Sequence, residues 1–194
     1  MTLSPQAAQT RDGLLRAART EFAEHGLAGA RTDRIAALAG INKQRIYAYF
    51  GNKEGLFAAV IASALDELLD IVPLPQSGTR AEKLTEYVTS VAAFHRAHPE
   101  LLRLLQWEAL QLDSGAELDG ERAERYTDKV TRFADALDLE RTQAAHVLLA
   151  TIGLAAWPSA VPQLTRLILG HDLDAALDDA AAWSARAATS FVGE

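Results

Sequence analysis

The chain has 194 residues, no cysteine and a formal net charge of −7. Its length suits one domain or two small ones, and 49% apolar with 23% charged residues suits a globular protein over a disordered one. The missing cysteines exclude disulfides, thiol catalysis and cysteine-ligated zinc, and the lack of a basic leader with an apolar stretch behind it leads us to expect a soluble, cytoplasmic protein.

Helical spacing dominates and no strand pattern competes. Leu15, Ala18 and Phe22 share one face of a first helix, about 9–25, that stops near Gly26. A shorter helix follows at about 33–39, with Ile35 and Leu38 facing inward. Gly40-Ile41 turns the chain, and Asn42 is placed to cap a third helix, about 43–50, by accepting from an orphan backbone N–H. Asn52 stands in the same relation to a fourth helix, from Lys53 to near Val72, where Pro73, Pro75 and Gly78 end the pattern. Thr79 and Glu82 form a capping box that opens a fifth helix, to about Ala97. Pro99 opens a sixth, to about Asp113, and Ser114 to Asp119 reads as a polar loop. Helices at about 120–137, 139–157, 162–169 and 173–192 complete an all-α chain of nine or ten helices, with Asp138 and Asp172 as caps.

The longest uncharged window, Thr142 to Thr165, is not a membrane span. Its apolar helical part, Ala144 to Trp157, includes His146 and ends at Pro158, whereas crossing a bilayer takes ~20 apolar residues. A helix apolar on all sides is expected to be buried on more than one face. Charge is divided along the chain: the first 60 residues carry eight bases against five acids, and the remaining 134 carry eleven against twenty-one. A basic segment on an acidic body points to a polyanionic partner for the segment.

Residues 32–50 hold two short helices joined by a tight turn through Gly40, a helix-turn-helix arrangement whose second helix enters the DNA major groove. Ile46 and Phe50, with Ile41 and Leu38, are placed to anchor helix 43–50. Gln44, Arg45 and Ala48 point away from that anchor, and Lys43, Tyr47 and Tyr49 flank it. Arginine pairs bidentately with guanine and glutamine with adenine; lysine and tyrosine suit phosphates and bases, and Lys53 is placed to grip the backbone. Read by spacing alone, the same residues also fit a small polar helix on a helical surface.

Over residues 9–60 the chain resembles the DNA-binding domain of the TetR (tetracycline repressor) family of bacterial transcriptional regulators. The matching residues are Phe22 and Gly26, Ile35-Ala36, Ala39-Gly40-Ile41-Asn42, Ile46-Tyr47-Ala48-Tyr49-Phe50 and Asn52-Lys53-Glu54-Gly55-Leu56. The resemblance implies a homodimeric, all-helical, ligand-responsive repressor of a palindromic operator in double-stranded DNA. Its DNA-binding domain would be 1–52 and its effector-binding and dimerisation domain 53–194. It places Lys43, Gln44 and Arg45 at base-contacting positions. Where family members usually carry threonine or serine, this chain has Arg31, which cannot cap the second helix but can reach a phosphate, leaving Thr32 as the nearer cap.

In this family the helices of the second domain surround a cavity for a small organic effector. The resemblance therefore makes Phe94, Trp107, Glu108, Tyr126, His146 and Trp157 pocket candidates, for a neutral or weakly cationic ligand. Leu173, Leu177, Ala180, Ala187 and Phe191 form one stripe of the last helix. With Val147 and Thr151 on helix 139–157, they suit a four-helix bundle made by two chains. His95 and His98, three apart, lack a third metal ligand and read as surface or capping residues. No metal, cofactor or membrane partner is expected. A helical protein-interaction module and a small helical enzyme are the other readings; the second lacks any G-x-S-x-G, H-E-x-x-H or glycine-rich phosphate loop.

Overall fold

The computed structural model describes residues 5–111, 120–170 and 172–192. Among them it is all-α, with ten helices and no strand. The polar loop expected at Ser114 to Asp119 lies outside the described residues. Two compact units emerge, residues 1–67 with 100–115 and residues 68–99 with 116–194. The first unit thus runs well past residue 52 and takes in a later helix.

The first unit contains α1 (Pro5–Gly29), α2 (Thr32–Leu38), α3 (Lys43–Phe50), most of α4 (Lys53–Ile71) and α6 (Pro99–Gln111) from its second residue. Its core is Leu14, Ala18, Phe22, Ile35, Ile46, Leu56, Ile61, Leu101 and Leu104, all buried, with Phe22 and Phe57 meeting edge to face at 5.0 Å. Helix α1 is longer at both ends than its periodicity suggests, and Gly26 interrupts it with a φ of 64°. A Cβ there would lie 2.7 Å from the Trp107 ring, so both the backbone and the packing demand glycine. Leu38 is exposed rather than inward-facing. The seven residues of α2 bury Thr32, Ile35 and Ala36, which fill the inward stripe at i, i+3 and i+4 and leave Leu38 outside it.

The second unit contains α5 (Arg80–Ala97), α7 (Gly120–Leu137), α8 (Arg141–Ala160), α9 (Pro162–Leu169) and α10 (Leu173–Thr189). Helix α5 packs on α8 and α10, and α7 packs on α8. The Thr79–Glu82 capping box forms as expected, and Asp172 caps α10 by accepting from Asp174 and Ala175 N–H. Asp138 does not cap α8. It adopts a φ of 48° and the following Leu139 N–H donates to Ala134 O at 3.0 Å, so it closes α7 in a Schellman-like turn.

Pro158 does not end α8, which runs on to Ala160. Proline has no N–H to give the carbonyl four residues back, and on α10 the Ser184 hydroxyl donates to that Leu154 O at 3.0 Å instead. Nor is α8 buried all round: Leu149 is 71% and Trp157 60% exposed, in line with exposed His146 and Gly153. No single helix among the described residues is long and apolar enough to cross a membrane.

Candidate nucleic-acid interface

The turn between α2 and α3 uses Gly40 at a φ of 65°, and the Asn42 carboxamide oxygen accepts from Gln44 N–H at 2.9 Å to start α3. Ile46 is fully buried and fixes the inward side of α3. Gln44, Arg45, Tyr47 and Ala48 are exposed on the remaining surface, and Tyr49 is half-buried against Phe50, over whose ring the Arg11 guanidinium lies. Lys43 Nζ pairs with Asp33 at 2.9 Å, which raises its pKa. The exposed row offers one guanidinium, one carboxamide and one phenol, the groups that read base edges and bind phosphate. Lys53 behaves differently from a simple phosphate clamp: its Nζ donates to Ala30 O at 3.3 Å and lies 3.5 Å from Ala28 O, at the end of α1. Its neighbour Asn52 accepts from Gly55 N–H at 2.7 Å, and a Cβ on Gly55 would lie 2.2 Å from Phe50 O, so the α3–α4 corner needs that glycine.

Sequence reasoning missed Glu21. Its side chain is buried, and its carboxylate accepts from Arg31 N–H at 2.7 Å, from Arg34 Nε at 2.9 Å and from Arg34 Nη2 at 2.6 Å. Burial alone would raise its pKa, but the Arg34 and Arg31 hydrogen bonds outweigh burial and hold it below the usual carboxylate range. Glu21 thus serves the start of α2, where Arg31 is the cap residue and gives no side-chain hydrogen bond. Thr32, expected as the cap, is instead the first helical residue and is buried; a carboxylate reaching across from α1 fills the role. The available signal was a glutamate three residues after Ala18 and seven after Leu14, on the face that α1 buries.

The six pocket candidates divide between the two units. Trp107 and Glu108 belong to the first unit, where Trp107 lies on Gly26 beside a groove of about 410 Å³ that it shares with Ala23, Glu24 and Arg103. In the second unit Phe94 is buried and stacks on His98 at 4.5 Å, and Tyr126 is half-buried on α7. Trp157 and His146 are exposed on α8, His146 Nδ1 lying 2.8 Å from Thr142 O. His146 is therefore not the interior histidine that its apolar surroundings in sequence suggested. A cavity of about 430 Å³ does lie among α5, α8 and α10, lined by Thr89, Ala92, Arg96, Ala155, Pro158 and Asp178 among others; none of the six borders it. Arg96 and Asp178 form an ion pair at its edge. His95 is buried, contrary to the surface reading, and burial with His98 nearby pushes its pKa down to about 4.

Of the proposed interface stripe, Val147 and Thr151 are buried within one chain. Leu173, Leu177, Ala180 and Ala187 are half-buried and Phe191 is exposed. The apolar surface that α8 and α10 leave outside is offset from that stripe, at Leu149, Trp157 and Trp183, the last 68% exposed.

Residues 14–60 match the family described as bacterial regulatory proteins, tetR family, and residues 83–189 match tetracyclin repressor-like, C-terminal domain. The HTH-type transcriptional repressor SCO4008 of Streptomyces coelicolor is 40% identical over 172 residues, which span 86% of this chain and 85% of that protein. The HTH-type transcriptional repressor NicS of Pseudomonas putida is 34% identical over 113 residues, 54% of this chain and 50% of the relative. Among solved structures, the transcriptional regulator SCO4942 of Streptomyces coelicolor is 28% identical and superposes with a TM-score of 0.72, covering 92% of this chain and 96% of that one.

Proposed function

Because the chain belongs to the TetR family of bacterial regulatory proteins, we propose that it represses transcription by binding a palindromic operator as a homodimer and releasing it when a small organic effector binds the second unit. The observation that carries this reading is α3, capped by Asn42 and anchored by Ile46, with Gln44 and Arg45 outward. In the bound state Gln44 and Arg45 meet base edges, while Arg31, Lys43, Tyr47 and Tyr49 meet phosphates and sugars at the groove wall. Thr32, Asn42 and Lys53 hold the two helices and the end of α1 in register for that contact.

The exposed apolar face of α8 and α10 is the dimer surface. Leu149, Trp157 and Trp183 supply large side chains and Gly153 lets the partner helix approach, so two copies make a four-helix bundle. Two-fold symmetry then sets the recognition helices one DNA turn apart, ~34–36 Å. The protein acts in the cytoplasm, where its operator is. Titration of a near-palindromic duplex from upstream of the gene, followed by fluorescence anisotropy, tests the reading. The logarithm of the affinity should fall linearly with log salt concentration, and Arg45→Ala should cost about 1–3 kcal/mol with relaxed preference at particular base pairs. Unchanged operator binding by the Gln44→Ala, Arg45→Ala double variant would overturn the groove assignment. Light scattering that shows a monomer at micromolar concentration would overturn the dimer.

A further inference from the structure

We propose that the cleft at the end of α4 is a binding site for a small organic carboxylate, whose charged group pairs with Lys129. The cleft holds about 360 Å³, the lower end of the ~300–1,000 Å³ range of small-molecule sites. Leu69, Val72, Pro73 and Leu74 give it apolar walls, and Lys129 and Arg132 of α7 border it.

Arg125, Lys129 and Arg132 recur at spacings of four and three along one face of α7. Arg125 lies 3.6 Å from Asp70, and Arg132 pairs with Asp128 at 2.7 Å. Lys129 is the most buried of the three, 5% exposed. Among the described residues no carboxylate approaches it; its Nζ sits 5.2 Å from the centre of the Tyr87 ring. The Tyr87 hydroxyl on that ring is itself buried with no hydrogen-bond partner among the described residues. The Lys129 ammonium over that ring thus has no paired anion among the described residues. A buried charge without a counter-ion is costly, and a carboxylate entering the cleft that Lys129 borders supplies the missing negative charge. Asp70 shares the cleft and disfavours a dianion, which selects a monocarboxylate over a phosphate ester. The apolar walls select a hydrocarbon body.

Leu69 and Asp70 are in the last turn of α4, the helix that begins at Lys53 in the first unit, so the occupant would touch the element that leads to the DNA-binding helices. Effector class is the consequence of the site under the reading above and rests on it; binding does not.

Isothermal titration of the full-length protein without DNA separates the two. The probes are benzoate, phenylacetate, hexanoate and octanoate, with benzamide, benzylamine and inorganic phosphate as neutral, cationic and dianionic controls. At least one carboxylate should bind once per chain, with each control weaker by about tenfold or more, and Lys129→Met should lower carboxylate affinity by at least about tenfold. Lys129→Gln serves the same purpose if circular dichroism shows the methionine variant unfolded. No carboxylate binding tighter than about 10 mM, equal binding of benzamide and benzoate, or undiminished binding by the folded variant would overturn the site. Binding without release of operator DNA would leave the site standing and overturn its assignment to the effector.

Discussion

Replacing Glu21 with glutamine tests how the recognition helices are held. The glutamate carboxylate takes one hydrogen bond from Arg31 N–H and a forked pair from Arg34. Glutamine is nearly isosteric; a carbonyl in the place of Oε1 still accepts from Arg31 N–H and Arg34 Nη2, but the NH₂ then replaces Oε2, 3.0 Å from Arg34 Nε, donor against donor and without the charge. A charge-assisted hydrogen bond contributes about 1.5–3 kcal/mol. Because the Arg34 side chain is 46% exposed, water takes back part of that loss, and the expected destabilisation is about 1–2 kcal/mol. Alanine also removes the acceptor at the start of α2, for about 1 kcal/mol more. Urea unfolding at pH 7 reads both differences.

The sign of the pH dependence adds a second readout. The Glu21 pKa is depressed in the folded protein, so its contribution is present above the ordinary carboxylate range and is lost as pH falls from that range through the depressed value. Wild type should lose its advantage over Glu21→Gln as pH is lowered through that range. Operator affinity at pH 7 should fall with the substitution, since α2 and the turn into α3 lose their tie to α1. Equal stability of the two proteins at pH 7, with parallel acid limbs, would refute this account of Glu21.

Gly26→Ala forces a Cβ into the Trp107 ring and a left-handed backbone onto alanine; we expect a loss of about 2 kcal/mol or more and a shifted tryptophan emission. Ser184→Ala leaves Leu154 O without its donor and should cost about 1–3 kcal/mol in thermal unfolding. Burial, with Arg132 nearby, lowers the Lys129 pKa to about 8, so the unfolded chain binds more protons between that value and the ordinary lysine range and wild-type stability should rise with pH across the interval. Lys129→Met should accordingly be more stable than wild type at pH 7 by about 1–3 kcal/mol, allowing for the lost contact with the Tyr87 ring, with the gain shrinking as pH rises; a gain independent of pH would refute a charge origin. Leu149→Glu should convert the proposed dimer to monomer in sedimentation velocity while leaving helix content unchanged.

What was legible in the sequence is what short-range chemistry decides. Asn42, Asn52, Thr79 and Asp172 start helices through partners two or three residues away, and Pro162 opens α9 at its first position. Helix α3 is observed at the predicted residues because its cap Asn42 and its anchor Ile46 lie only four residues apart. The errors share a cause. Pro158 stays helical because Ser184, 26 residues on, supplies the donor to Leu154 O. Asp138 looks like a cap from its position before an apolar run, but a left-handed φ at the end of α7 claims it first. Gly26, 81 residues before Trp107, is kept bare for its ring. Glu21 draws no notice in the sequence because its partners, Arg31 and Arg34, come together with it only in the fold. Asp138 aside, whose competing turn is local, a partner distant in sequence outweighs the local preference.

The apolar window of α8 carries a further implication. A helix with mostly small and aliphatic residues on every side is stable in water only if each side finds cover, and one chain covers Ala144, Val147, Leu148, Thr151 and Ala155 while leaving Leu149 and Trp157 outside. Lys129 presents the opposite imbalance, a charge that the same unit buries without an anion among the described residues. The first imbalance is relieved by apolar area, the second only by negative charge, so a second copy of the chain cannot satisfy Lys129 with the α8 face, and a carboxylate cannot cover Trp157. The two substitutions Leu149→Glu and Lys129→Met should therefore act independently: the first should abolish dimerisation and leave carboxylate binding per chain intact, and the second should do the reverse. Loss of carboxylate binding in the Leu149→Glu monomer would show that the cleft depends on the dimer and would overturn the separation of the two surfaces.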